Sequence, residues 1–132
     1  MTPEKLLYAK THEWADIATN DAGEKIATVG LSQFALDALT DLIFIDLPEV
    51  GQMVEAGEQF GEIESVKAVS EMYSPVSGEI IAVNSAVGDS LETLGQDPYE
   101  NGWLVKIKMS ANDAEQLLDF AAYQTHCQNE GH

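Results

Sequence analysis

The chain has 132 residues, enough to bury a core of its own and too few for two ordinary domains, so residues 1–132 are read as a single domain. Six Lys and no Arg stand against 23 Asp and Glu, a net charge of −17, which argues against nucleic acid and anionic membrane surfaces as partners and suits solubility or docking onto basic protein patches. A lone cysteine, Cys127, excludes an internal disulfide, no apolar run is long enough to span a bilayer, and the start MTPEKLLYAK has no signal or transit pattern, so a reducing, cytoplasmic setting is expected.

Leu6, Leu7 and Tyr8 can cover one side of a core. Residues 11–19 and 24–30 read as two strands of an N-terminal hairpin, joined across Asn20, Asp21, Ala22 and Gly23, which supply a strong turn signal. His12 followed by Glu13 invites a metal reading, but no second His stands at the spacing of a zinc-binding HExxH helix. At residues 31–40 the period switches: Ser32 is placed to cap a short helix, with Phe34, Leu36 and Leu39 for burial. Residues 41–47 return to strand and Pro48 ends it.

A loose repeat follows. Gly51, Val54, Gly57 and Phe60 recur as Gly78, Ile81, Gly88 and Leu91, and two halves of short antiparallel strands, neither able to bury its own face, would close into a sandwich with a quasi-twofold relation. Residues 85–102 are turn-rich. In WLVKIKM, residues 103–109, alternation puts Val105, Ile107 and Met109 with Trp103 on one face, and Lys106 and Lys108 on the other. Ser110 to Asp113 resembles a capping box with Asp replacing Glu, and Ala114, Leu117, Leu118, Ala121 and Ala122 make the stripe of a C-terminal helix. The tail with His126, Cys127 and His132 reads as a frayed end rather than a metal cluster.

The stretch around which the chain is organised is GEIESVKAVSEMYSPVSG, residues 61–78. Residues 60–66 and 69–73 read as the two strands of a hairpin with Lys67 at the tip. No Asn-Gly or Asp-Gly makes the bend; Val66, Lys67 and Ala68 must do so themselves. Tip lysines are ordinarily just solvated. This one, however, is the only basic side chain between Lys25 and Lys106, so a modifying enzyme would find one amine, and a lysine amine can be acylated into a longer arm such as lipoamide.

Residues 61–84, GEIESVKAVSEMYSPVSGEIIAVN, resemble the lipoyl-attachment segment of the glycine cleavage system H protein family, with Lys67 at the lipoylated position. THEW (11–14), ATVG (27–30), DLPEVG (46–51) and DPYENGWLVKIK (97–108) resemble that family too, in its order, so the likeness spans nearly the whole chain. Biotin carriers usually place Met beside the lysine, where this chain has Val66 and Ala68. Leu39, Thr40 and Asp41 stand where the family often has Leu-Gly-Asp, and SLETLGQ (90–96) lacks a proline many members carry; both touch loop geometry and partner contacts.

The resemblance implies a mainly β, lipoyl/biotinyl-type sandwich (a barrel-sandwich hybrid) with an N-terminal hairpin, a short helix and a C-terminal helix. It implies a non-catalytic carrier with lipoate on Lys67. The carrier would shuttle the aminomethyl group of glycine between the decarboxylase, the aminomethyltransferase and the dihydrolipoyl dehydrogenase, after modification by a lipoate ligase or a lipoyl/octanoyl transferase. Glu64, Ser65, Val66 and Ala68 shape the presented tip and are the expected recognition residues. Glu13 either lies near the loaded arm and pairs with its amine, or is an ordinary exposed strand residue. A lipoyl-relay role would use the same residues, and a plain interaction domain would leave Lys67 unmodified. An independent enzyme would need a Ser-His-Asp set, a CxxC pair or a phosphate loop, none of which the sequence offers.

Overall fold

A computed structural model of the chain describes residues 3–39, 41–110 and 117–130. In chain order the strands and helices are β1 (Leu7–Tyr8), β2 (Glu13–Thr19), β3 (Lys25–Leu31), α1 (Gln33–Leu39), β4 (Leu42–Asp46), β5 (Met53–Val54), β6 (Gln59–Ser65), β7 (Val69–Tyr73), β8 (Gly78–Val83), α2 (Ala86–Asp89), α3 (Glu92–Gln96), β9 (Val105–Met109) and α4 (Phe120–Glu130). One antiparallel sheet runs β1-β2-β3-β9-β8-β5 and a smaller one runs β4-β6-β7. Their inner faces form the main core: Ala27, Val29, Ile80, Val105 and Ile107 from the large sheet meet Ile45, Phe60, Ile63 and Met72 from the small one, closed by Leu36, Val87 and Leu94 of the helices. This is a β-sandwich, as the alternating strands demand. No helix among the described residues is long and apolar enough to cross a membrane.

Strand alternation sends the side chains of β2 to two different places. Ala15 pairs with Val29 and Ile17 with Ala27, on the row that faces the main core. Trp14 pairs with Gly30 and Tyr8 with Trp14, on the opposite face, where they join Leu6 and Tyr123 in a second cluster roofed by α4. Gly30 is needed there, because a Cβ would stand 2.5 Å from the Trp14 indole. The indole nitrogen donates to Pro98 O at 3.1 Å, and the Tyr99 hydroxyl accepts from Gln33 N at 2.9 Å. Three of the sequence motifs, THEW, ATVG and DPYENGW, are thus parts of one contact.

The N-terminal hairpin turns as expected, with Gly23 at φ +81° and the Asn20 carboxamide oxygen accepting from Ala22 N and Glu24 N. Ser32 caps α1, its Oγ accepting from Ala35 N at 3.3 Å. Several other expectations are corrected. β2 begins only at Glu13, because His12 takes φ 81° and breaks the extended run. Phe34 is 37% exposed rather than buried, since Leu36 is the α1 side chain that reaches the core. The residue-by-residue repeat ends at Ile81, which is 39% exposed where Val54 is buried; Gly88 then falls in α2 and Leu91 caps α3, so the turn-rich stretch carries two short helices. Trp103 lies before β9 and packs into the second cluster, not the main core.

The C-terminal helix starts later than the stripe suggests. Residues 111–116, with the expected capping box and Ala114, lie outside the described residues, as does His132. Leu117 and Leu118 are not helical; Leu118 exchanges two backbone hydrogen bonds with Tyr8, each 2.7 Å. Asp119 caps α4, its Oδ1 accepting from Ala122 N at 2.8 Å. Ala121 and Ala122 face solvent and Tyr123 is the buried contact, because an aromatic fills the groove beside Tyr8 that alanine cannot. His126 and Cys127 lie within this helix rather than in a frayed tail.

Candidate functional site

β6 is the middle strand of the small sheet, flanked by β4 and β7, so the hairpin that carries Lys67 is braced along one side. Glu64 pairs with Val69 across the hairpin, and Leu42 of β4 pairs with Ser65. Ser65 is 5% exposed and closes the turn: its backbone N–H donates to Ala68 O at 2.8 Å, its hydroxyl donates to the same oxygen, and its Oγ accepts from Ala68 N, both at 3.2 Å. The serine side chain thereby takes the place of the backbone acceptor that a tight two-residue turn would use. Neither Val66 nor Lys67 needs a positive φ. Val66 N is further held by Asp41 O at 3.1 Å.

On this anchored turn Val66, Lys67 and Ala68 are all exposed, and no ion pair engages Lys67 among the described residues. Val66 and Val69 of the hairpin, at 67% and 59% exposure, and Phe44 and Ile43 of the neighbouring β4, at 54% and 56%, make an apolar collar on the strands that carry the tip. Glu64, half-buried, lies between Phe44 and Val69 on one cross-strand row. Val66, Ala68 and Glu64 are therefore accessible at the tip, whereas Ser65 is turned inward as its staple.

A cleft of about 550 Å³ runs along β7 from this collar. Val69, Ser70, Glu71 and Tyr73 form one wall and Lys10, Thr11 and His12 the other. From Val69 to Tyr73 the strand advances by about 14 Å, comparable to the reach of a lysine lengthened by a lipoyl chain. Glu13 stands behind the far end. Its side chain is on the inward row of β2 and is fully buried, so the alternative of an ordinary exposed strand residue is overturned.

The Glu13 carboxyl has two partners: Oε1 accepts from the Thr11 hydroxyl, and Oε2 accepts from Tyr73 N at 3.0 Å. β7 is the outer strand of its sheet, and its outward amide at Tyr73 would otherwise have no acceptor; Glu13 bridges the two sheets by supplying one. Burial pushes the Glu13 pKa up from 4.5 to about 7, although both hydrogen bonds oppose the shift. A carboxyl poised near neutrality beside a cleft can hold a proton when alone and release it to face a cation.

Thr11 and Tyr73 were not singled out from the sequence. Thr11 carries a faint signal, two residues before Glu13 in THEW. Tyr73 has none, since it contributes a backbone amide.

The family model described as glycine cleavage H-protein matches residues 6–130. The glycine cleavage system H protein of Rhodopirellula baltica is 52% identical over 129 residues, 98% of this chain and 97% of that one. That of Chromohalobacter salexigens is 48% identical over 122 residues, covering 92% and 90%. The crystal structure of a glycine cleavage system H protein from Mycobacterium marinum superposes with a TM-score of 0.85 at 41% identity, covering 98% of this chain and 99% of that one. With the hairpin lysine, the two-sheet sandwich and both flanking elements in that family's arrangement, the chain belongs to the glycine cleavage H-protein family.

Proposed function

We propose that this chain is the lipoyl-bearing carrier of the glycine cleavage system and that Lys67 is its attachment site. The observation that carries the reading is an exposed amine with no ion pair among the described residues, on a stapled hairpin, next to a cleft along β7 whose lining residues Thr11 and Tyr73 hydrogen-bond a buried acid behind it. An acyl group on Lys67 would meet no steric obstacle at the tip and would find a groove of matching length alongside it. When bound there in amide linkage, lipoate supplies a dithiolane that accepts a fragment on opening and is restored by oxidation.

The residues of the chain bind and shelter rather than catalyse. Ser65 fixes the height and direction of the tip; Glu64, Val66 and Ala68 present the surface that a lipoate ligase or lipoyl/octanoyl transferase reads. The cargo is the aminomethyl group of glycine, received from the decarboxylase and given up to the aminomethyltransferase, with dihydrolipoyl dehydrogenase restoring the arm. One anchored arm reaching several active sites in turn gives a high effective concentration at each. Between stations Glu13, ionised by an approaching ammonium, pairs with the amine of the cargo, and the walls of the cleft keep water from it.

Loading tests the reading. Lipoylated protein incubated with glycine decarboxylase and glycine labelled at the methylene carbon should retain label, and the Lys67→Arg protein should retain none. Label on Lys67→Arg, or none on the lipoylated chain, contradicts it.

A further inference from the structure

The loop that forms one wall of the cleft is held from behind by the C-terminal helix. The Tyr123 hydroxyl lies 2.7 Å from His12 Nδ1 and 2.5 Å from Ser32 Oγ. One turn on, the Nε2–H of His126 donates to Lys10 O at 2.8 Å. The His12 ring is packed as well, stacked 4.8 Å from Phe34 and tilted against His126 at 5.7 Å. Its backbone takes φ 81°, a left-handed conformation that a non-glycine residue keeps only when its surroundings enforce it. In that conformation His12 N donates to Ala9 O, Ala9 N donates to Glu13 O, and Ser32 N donates to His12 O, each at 2.9 Å. The strained residue stands between Thr11 and Glu13, the two side chains that meet at the end of the cleft.

We propose that Tyr123 and His126 are positioning residues: α4 clamps the loop at residues 9–12, keeps Thr11 and Glu13 aligned on the cleft, and so sets how long a loaded arm stays protected from water. This rests on the reading that the arm seats against Glu13. Neither residue touches the cargo. Hydrolysis of an aminomethyl thioether there takes up one water and yields the free thiol, formaldehyde and ammonium, so opening of the wall is read directly as formaldehyde release.

The test uses the full lipoylated chain and two readouts. Tyr123→Phe removes one hydroxyl and retains the ring stacked on Tyr8 at 4.2 Å. Of the two hydrogen bonds this removes, to His12 and to Ser32, the one to His12 holds the loop, and its loss should raise the open population of the loop roughly three- to tenfold. Amide exchange at Ala9 and His12 should therefore accelerate by that factor, with Val29 and Ile107 in the main core unchanged, and formaldehyde release from the loaded protein should accelerate alongside. His126→Leu should behave in the same direction, and His126→Gln, which retains a donor, should return toward the parent rate. Unchanged exchange at Ala9 and His12, or an equal rise at every amide, overturns the clamp. If Tyr123→Phe loosens the loop without faster release while Glu13→Gln does hasten release, the seat stands and the clamp's role in it is overturned. If neither variant hastens release, the seat itself is wrong and the inference falls with it.

Discussion

The hairpin tip beside one end of the cleft and the acid behind the other are built on opposite terms. At one end Val66, Lys67 and Ala68 are exposed, and everything rigid about them comes from atoms beneath, the Ser65 staple and the Asp41 carbonyl. At the other end Glu13 is fully buried, bonded to Thr11 and Tyr73, and its carboxyl is lifted to about 7. The exposed lysine takes part in no ion pair among the described residues, whereas the buried acid joins two sheets. The proposed carrier role would use this asymmetry, since an attachment point has to fit into other proteins' active sites and a resting point has to keep water out.

Lys67→Arg breaks the comparison most completely. It should abolish acylation and all turnover in a reconstituted glycine cleavage assay, while unfolding free energy stays within about 0.5 kcal/mol of the parent, as for exposed substitutions generally. Glu13→Gln addresses the other end. Burial raises the Glu13 pKa from 4.5 to about 7 in the folded chain, so between those pH values the folded state retains a proton that the unfolded state has lost. Its stabilising contribution is complete below about pH 4.5 and is lost as pH rises through about 7, a swing on the order of 3 kcal/mol. The parent should lose stability relative to Glu13→Gln across that window in urea melts at stepped pH; a constant difference would mean that Glu13 titrates normally.

Smaller effects sharpen the account of the tip. Ser65→Ala removes both side-chain hydrogen bonds of the staple and should cost about 1–2 kcal/mol in denaturant unfolding, with slower lipoylation of a less ordered turn. Glu64→Ala should leave stability within about 0.5 kcal/mol and lower the rate of lipoylation a few-fold in a ligase assay. Unchanged lipoylation would remove Glu64 from the recognition surface.

The hairpin, its lysine and the sandwich were legible because each is written locally: alternation marks β6 and β7, and the one basic residue in a long acidic stretch marks the tip. The Asn20–Gly23 turn and the Ser32 cap were legible for the same reason. The chemistry at the far end was not. Glu13 is buried because β2 happens to face it inward against an edge amide of β7, 60 residues away in sequence. The link from Tyr123 to His12 spans 111 residues, and no local pattern encodes it. The C-terminal helix was misplaced because an apolar stripe at Leu117 and Leu118 fits a helix as well as the bridge to Tyr8 that the tertiary fold prefers.

The central claim, that this chain bears lipoate on Lys67, is tested most directly by the intact mass of the protein purified from its native host, with peptide mapping across residues 61–78 and a Lys67→Arg control. The account predicts a lipoyl increment confined to the peptide with Lys67 and absent from the control. An unmodified Lys67 in cells growing on glycine with lipoate available would contradict it.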